Sequence, residues 1–156
     1  MRILAFETSA KAASVALLQD GCLLGEYMQN SGQTHSRTLM QMAQDLLRNC
    51  ELETKDIDAV ACAAGPGSFT GVRIGVAAAK GYAWGAQLPC VGVSTLEAMV
   101  HQGASFEGII CCAMDARRDQ VYHGLFACKN GELSRLVEDC AISLEELKEE
   151  LISDGR

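Results

Sequence analysis

The chain predicts an α/β fold of two lobes that share one opening pattern, βββαβαβα and then a shorter βββα. Three observations carry this. Apolar runs joined by two-residue turn signals open both halves, helix-spaced apolar stripes follow them, and glycine-rich punctuation separates the pieces. Repetition of one strand–helix order is the strongest architectural inference. Residues 1–104 are expected to form the first lobe. Residues 105–156 begin a second, incomplete lobe that stops at Arg156 before its βαβα continuation, as a truncated piece or an unusually short homologue would.

Residues 2–8 read as a buried strand, and 13–19 and 22–29 as two more around the Asp20-Gly21 turn signal. From Ser36 to Leu52 the period changes, with Leu39, Met42, Ala43, Leu46, Leu47 and Cys50 forming one broad apolar stripe. A turn at 54–58 leads to a fourth strand at 58–64, then a helix from Phe69 to Ala86 and a strand at 90–93. On that second helix Gly71, Gly75, Ala78 and Gly85 share one face, Val72, Val76, Ala79, Ala83 and Ala86 fill the next, and Arg73, Lys80 and Trp84 mark the far side. Each helical glycine costs about 1 kcal/mol relative to alanine, so close packing must offset several. A capping box, Ser94 with Glu97, starts a helix at 95–102 that Gly103 ends. Strands at 109–114, 120–128 and 133–142 follow, with Asn130-Gly131 as a hairpin turn, and Ser143 with Glu146 opens the last helix.

Residues 65–75, Gly-Pro-Gly-Ser-Phe-Thr-Gly-Val-Arg-Ile-Gly, are the most informative stretch. Glycine is conformationally expensive, so this density is kept where a backbone, a helix or a phosphate comes very close. The phosphate motifs fail. No Lys-Ser or Lys-Thr follows the glycines, and Thr70 occupies the third glycine position of the dinucleotide pattern. Amides at a helix N-terminus still suit an anion; the alternative is a tight strand-to-helix turn that binds nothing.

Composition narrows the function classes. Hydrophobic residues make up 49% and aromatic residues 5%, so the core is expected to be Ala, Val, Leu, Ile and Cys. A net charge of −7 with scattered basic residues makes a poor autonomous nucleic-acid binder, and any RNA role should be indirect. The eight cysteines include no Cys-x-x-Cys pair and most sit in apolar runs, so they are expected to be reduced, small hydrophobes of a cytoplasmic protein. Glu7 cuts short the first apolar run, which argues against a signal peptide, and no stretch has transmembrane length.

Duplicated lobes of this order are the plan of the actin-like ATPase, Hsp70 and sugar-kinase (ASKHA, ribonuclease H-like) superfamily. Within it the sequence resembles the TsaB (YeaZ) family. The resembling residues are Arg2-Ile3-Leu4-Ala5-Phe6-Glu7-Thr8-Ser9, His35-Ser36, Asp56-Ile57-Asp58-Ala59-Val60, the whole glycine block from Gly65 to Gly75, Val91-Gly92-Val93-Ser94-Thr95-Leu96 and Met114-Asp115-Ala116-Arg117. They span roughly residues 1–122, and the Gly-Pro-Gly-Ser-Phe-Thr-Gly-Val-Arg block is highly specific.

The resemblance implies a non-catalytic subunit of the bacterial machinery that makes N6-threonylcarbamoyladenosine (t6A) at position 37 of tRNAs reading codons that start with A. Its implied partners are a TsaD-type catalytic subunit and a TsaE-type ATPase, with self-association through the same kind of surface and tRNA met only indirectly. No cofactor is expected on this subunit; ATP or ADP and a metal belong to the partner or the complex interface. The first-lobe helices form the implied contact. Here that means Leu39, Met42 and Leu46 on one helix and Gly71, Val72, Gly75, Ala78, Ala79 and Tyr82 on the other, and Ala78→Arg is expected to block association without harming the fold.

Several residues depart from the catalytic relatives. Those bind metal through a His-x-x-x-His pair, whereas His35, His101 and His123 are isolated: His35 reads as a helix cap, the other two as surface or half-buried residues. Glu7-Thr8-Ser9 occupies the place of a phosphate- or Mg²⁺-binding turn, so weak nucleotide contact is an expectation to test. Asp115-Ala116-Arg117 opens the second half as Glu7-Thr8-Ser9 opens the first, and reads as a strand-end turn. The competing readings are a metallopeptidase or glycoprotease-like hydrolase, for which no His-Glu-x-x-His or Gly-x-Ser-x-Gly appears, and a small-molecule kinase of the same superfamily.

Overall fold

A computed structural model describes residues 1–153. The chain divides into two compact units, Met1–Val93 and the part from Ser94 onward. No helix among the described residues is long and apolar enough to cross a membrane.

The first unit runs β1 (Arg2–Glu7), β2 (Ala13–Gln19), β3 (Cys22–Gln29), α1 (His35–Asn49), a 3-10 turn (Thr54–Asp56), β4 (Ala59–Ala63), α2 (Phe69–Ala86) and β5 (Cys90–Val93). Its five strands lie in the order β3-β2-β1-β4-β5. The meander pairs antiparallel, whereas β4 joins β1 and β5 joins β4 in parallel. Asp20 and Gly21, at φ 52° and 81°, form the two-residue turn that brings Gln19 opposite Cys22. Alternation along β1, β2 and β4 sends Leu4, Phe6, Val15, Leu17, Val60 and Cys62 inward, where α1 covers them with Leu39, Met42, Ala43, Leu46 and Leu47. The apolar stripe runs to Cys50 and the helix was expected to reach Leu52, but α1 ends at Asn49. Glu51 turns left-handed at φ 54°, and the Glu51 and Leu52 amides bond back to the Arg48 and Leu47 carbonyls.

The second unit contains α3 (Thr95–Val100), a 3-10 turn (His101–Gly103), β6 (Gly108–Arg117), β7 (Gln120–Lys129), β8 (Glu132–Ser143) and α4 (Leu144–Ser153). The three strands form an antiparallel meander. Asn130 and Gly131, at φ 54° and 76°, make its second turn. The helix that sequence set at the end of the first lobe packs here, since Leu96 and Val100 meet Cys112 and Phe126 in one buried cluster. Half of its capping box forms: the Ser94 hydroxyl accepts from the Glu97 amide, while the Glu97 carboxylate turns to Arg135. The box at α4 is complete, with the Ser143 hydroxyl accepting from the Glu146 amide and the Glu146 carboxylate accepting from the Ser143 amide.

Candidate functional site

The glycine block is built around Thr8 and Ser9, at the end of β1. Ser68 caps α2 by accepting from the Gly71 amide, and its own amide donates to the Ser9 carbonyl at 2.7 Å. The Thr8 hydroxyl, fully buried, donates to the Gly71 carbonyl at 2.8 Å. A methyl at Gly71 would lie 2.1 Å from the Thr8 carbonyl oxygen, one at Gly75 2.2 Å from the Thr8 hydroxyl, and one at Gly67 2.6 Å from the Ser9 carbonyl. Close backbone approach is therefore what these glycines permit, and the approaching group is the chain's own first strand. The Glu7 carboxylate accepts from the Ser9 amide. Thus the three residues expected at a phosphate site spend polar groups holding the turn together.

The same contact decides which face of α2 is inside. Gly71, Gly75, Ala79 and Ala83 are its buried residues, a four-residue spacing of the smallest side chains that lets the helix axis settle on β1 and β4. The sequence reading grouped Gly71 and Gly75 with Ala78 and Gly85 instead, but Gly85 is exposed with nothing near it.

The nine residues expected at a partner contact consequently separate. Leu39, Met42 and Leu46 are core side chains, 1%, 7% and 1% exposed, because the apolar stripe of α1 faces its own sheet. Gly71, Gly75 and Ala79 are buried against β1 and β4. Those six cannot present side chains to a partner. Val72, Ala78 and Tyr82 are half-buried; Ala78 packs on the core, and Tyr82 donates to the Thr54 hydroxyl at 3.0 Å.

The face that α2 exposes includes a row that sequence marked only in part: Phe69, Arg73, Ala77, Lys80, Gly81 and Trp84. Phe69 is 70% and Trp84 88% exposed, and the Arg73 guanidinium stacks 3.6 Å above the Phe69 ring. Two largely exposed aromatics on one helix face are costly in water and are the residue type that anchors interfaces. The available signal was large side chains at helical spacing on an otherwise small-residue helix.

Two of the three histidines depart from expectation, while His101 is exposed as expected. His35 does not cap α1; its Nε2 lies 3.1 Å from the Ala10 carbonyl and ties the helix start to the β1–β2 connection. His123, expected to be a surface or half-buried residue, is wholly buried in β7. Among the cysteines only Cys62, Cys112 and Cys128 are buried, and burial pushes the first two thiols up; Cys22, Cys90, Cys111 and Cys140 are exposed. Arg117, Arg118 and Asp119, left-handed at φ 66°, 54° and 60°, line an open cavity of about 460 Å³ with Asp115 and Leu144.

Comparison with known proteins identifies the frame. The family described as "TsaD: tRNA N6-adenosine threonylcarbamoyltransferase" matches residues 27–154. The tRNA threonylcarbamoyladenosine biosynthesis protein TsaB of Bacillus subtilis is 40% identical over 156 residues, all of this chain and 68% of its own. The chain belongs to the TsaB (YeaZ) family. The Escherichia coli TsaB is 43% identical over 124 residues, 78% of this chain, which spans 53% of that relative. Among solved structures, YeaZ from Pseudomonas aeruginosa aligns with a TM-score of 0.82 at 33% identity, over 90% of this chain and 67% of that one. The ethanolamine utilization protein EutJ from Carboxydothermus hydrogenoformans, at a TM-score of 0.52, 14% identity and coverage of 99% of this chain and 57% of its own, shares the fold alone. The architecture expected for a TsaB-family chain, actin-like α/β, is therefore the one observed.

Proposed function

We propose that this chain is a non-catalytic interaction subunit of tRNA threonylcarbamoyladenosine biosynthesis, and that the exposed face of α2 is where it meets a TsaD-type catalytic subunit. The observation that carries the reading is the row Phe69, Arg73, Ala77 and Trp84, an aromatic-ended surface on a helix whose other side is committed to its own sheet. The family relationship supplies the partner. In this reading the transfer to adenosine 37 of tRNAs reading codons that start with A occurs on the partner. ATP or ADP and any metal sit there or at the complex interface, a TsaE-type ATPase joins the assembly, and tRNA is touched indirectly. A second copy of the chain would compete for the same face.

The experiment is size-exclusion chromatography with light scattering, alone and after mixing with the TsaD-type protein of the same organism. A one-to-one species is expected, weakened by Ala77→Arg or Trp84→Ala. Ala77 is the better probe than Ala78, because Ala78 packs on the core and an arginine there would disturb the fold. Absence of any complex with the unaltered chain overturns the reading.

A further inference from the structure

The charge of the exposed α2 face runs against that of the chain. Acidic residues outnumber basic ones by 20 to 13, yet α2 carries no carboxylate in its 18 residues and two cations, Arg73 and Lys80. At about 100° per residue, Phe69, Lys80, Arg73, Trp84 and Ala77 fall within an arc of about 80°, so both cations stand in the exposed aromatic row. Seven positions at about 1.5 Å each set them about 10 Å apart along the helix. The Phe69 ring lies 3.6 Å beneath the Arg73 guanidinium, which steadies its plane and leaves the N–H edge open to a carboxylate. Arg48 and Lys55, in the same unit, each have an ion-pair partner, whereas Arg73 and Lys80 have none among the described residues. Ala77 lies between the two cations, and beside it Gly81 has open space where a Cβ would stand.

We propose that the α2 face takes an acidic helix, one that presents carboxylates about two turns apart to Arg73 and Lys80 and an apolar recess to Trp84. This rests on the function proposed above and specifies the chemistry of the TsaD-type surface that covers the row. The small side chains at Ala77 and Gly81 let a second helix axis approach to about 8–10 Å. Such an approach takes both cations out of water, and a buried charge left without a partner is strongly unfavourable. Carboxylates on the facing helix offset that cost, and the planar guanidinium of Arg73 can take one in bidentate geometry. A second copy of the chain fits poorly. Two α2 faces crossing near Ala77 set Arg73 of one against Lys80 of the other when antiparallel, and Arg73 against Arg73 when parallel. Like charges opposed across an interface act against the wrong partner, so the face favours an acidic helix over itself.

The test is the affinity of the chain for the TsaD-type protein of the same organism, measured by biolayer interferometry at about 50 mM and about 500 mM salt, where the screening length falls from about 14 Å to about 4 Å. Association of the unaltered chain should slow by about tenfold or more over that range. The double variant Arg73→Gln with Lys80→Gln should lose most of this salt dependence. Reversing both charges, Arg73→Glu with Lys80→Glu, should weaken binding at low salt by at least about tenfold. Lys129→Gln, an exposed cation in the second unit, should change the affinity by less than about twofold. A complex that ignores salt, or that forms equally well with both charges reversed, overturns the acidic-helix proposal and leaves the α2 contact standing. Absence of any complex at either salt overturns the proposed function, and this inference with it.

Discussion

Gly71→Ala tests the packing that organises the first unit. Alanine is the better helix former by up to about 1 kcal/mol, so propensity alone predicts stabilisation. The structure predicts the opposite. The new methyl would start 2.1 Å from the Thr8 carbonyl oxygen, where ordinary contact begins at 3.4 Å, and the obstacle is backbone at the end of β1. The helix must retreat by roughly 1 Å, a strain in the range of about 1–3 kcal/mol for overpacked sites. Retreat also stretches the 2.8 Å bond from the buried Thr8 hydroxyl, and a buried polar group left unpaired costs about 1–3 kcal/mol. Net destabilisation of about 1–5 kcal/mol should remain once the propensity gain is subtracted. Gly81→Ala is the control: nothing lies within 4 Å of its added methyl, so it should stabilise by about 0.5–1 kcal/mol. Urea unfolding followed by circular dichroism should move the two midpoints in opposite directions. A Gly71→Ala chain as stable as the unaltered one would refute the close-approach account of the glycine block.

Other outcomes follow from the same geometry. ATP with Mg²⁺ should leave the melting temperature of the isolated chain unchanged, because the Thr8 hydroxyl and Glu7 carboxylate are engaged internally; a concentration-dependent rise would show a ligand bound to the folded state. Glu146 gives a pH signature at the start of α4. The Ser143 amide and hydroxyl donate to its carboxylate and hold it below the ordinary carboxyl value. The associated stability is present above the unfolded value near 4.5 and is lost as pH falls through the lower folded value. The protection of the α4 amides, taken relative to their intrinsic exchange at each pH, should therefore fall at acid pH, and Glu146→Gln should remove that pH-dependent part. Trp84, the single tryptophan, should emit as a solvated indole in the free chain and shift to the blue when the α2 face is covered; an unshifted spectrum in a formed complex would move the contact elsewhere.

Most elements were legible because their signals are local. The Asp20-Gly21 and Asn130-Gly131 turns announce themselves by residues that tolerate positive φ, and the α1 stripe by spacing. The element α2 was legible as a helix, while its orientation was not. Small residues lie on more than one side of it, so spacing could not say whether Gly71-Gly75-Ala79 or Gly71-Gly75-Ala78 turns inward. The burial of the expected contact residues on α1 was illegible for a related reason. Leu39, Met42 and Leu46 carry the apolar signal of a core face, and an apolar stripe looks alike whether a sheet of the same chain or a partner covers it. His123 and Cys140 stand 17 positions apart, and only strand pairing brings them together.

By itself the sequence determined the fold class, the order of the elements, the turns and the family, since periodicity, turn residues and an eleven-residue block are written in consecutive positions. Tertiary structure alone decided what the glycines are for, which side of α2 meets water, and which histidine is buried. Those depend on distances between residues far apart in the chain, such as Thr8 against Gly71, and burial belongs to the packed assembly rather than to any residue type.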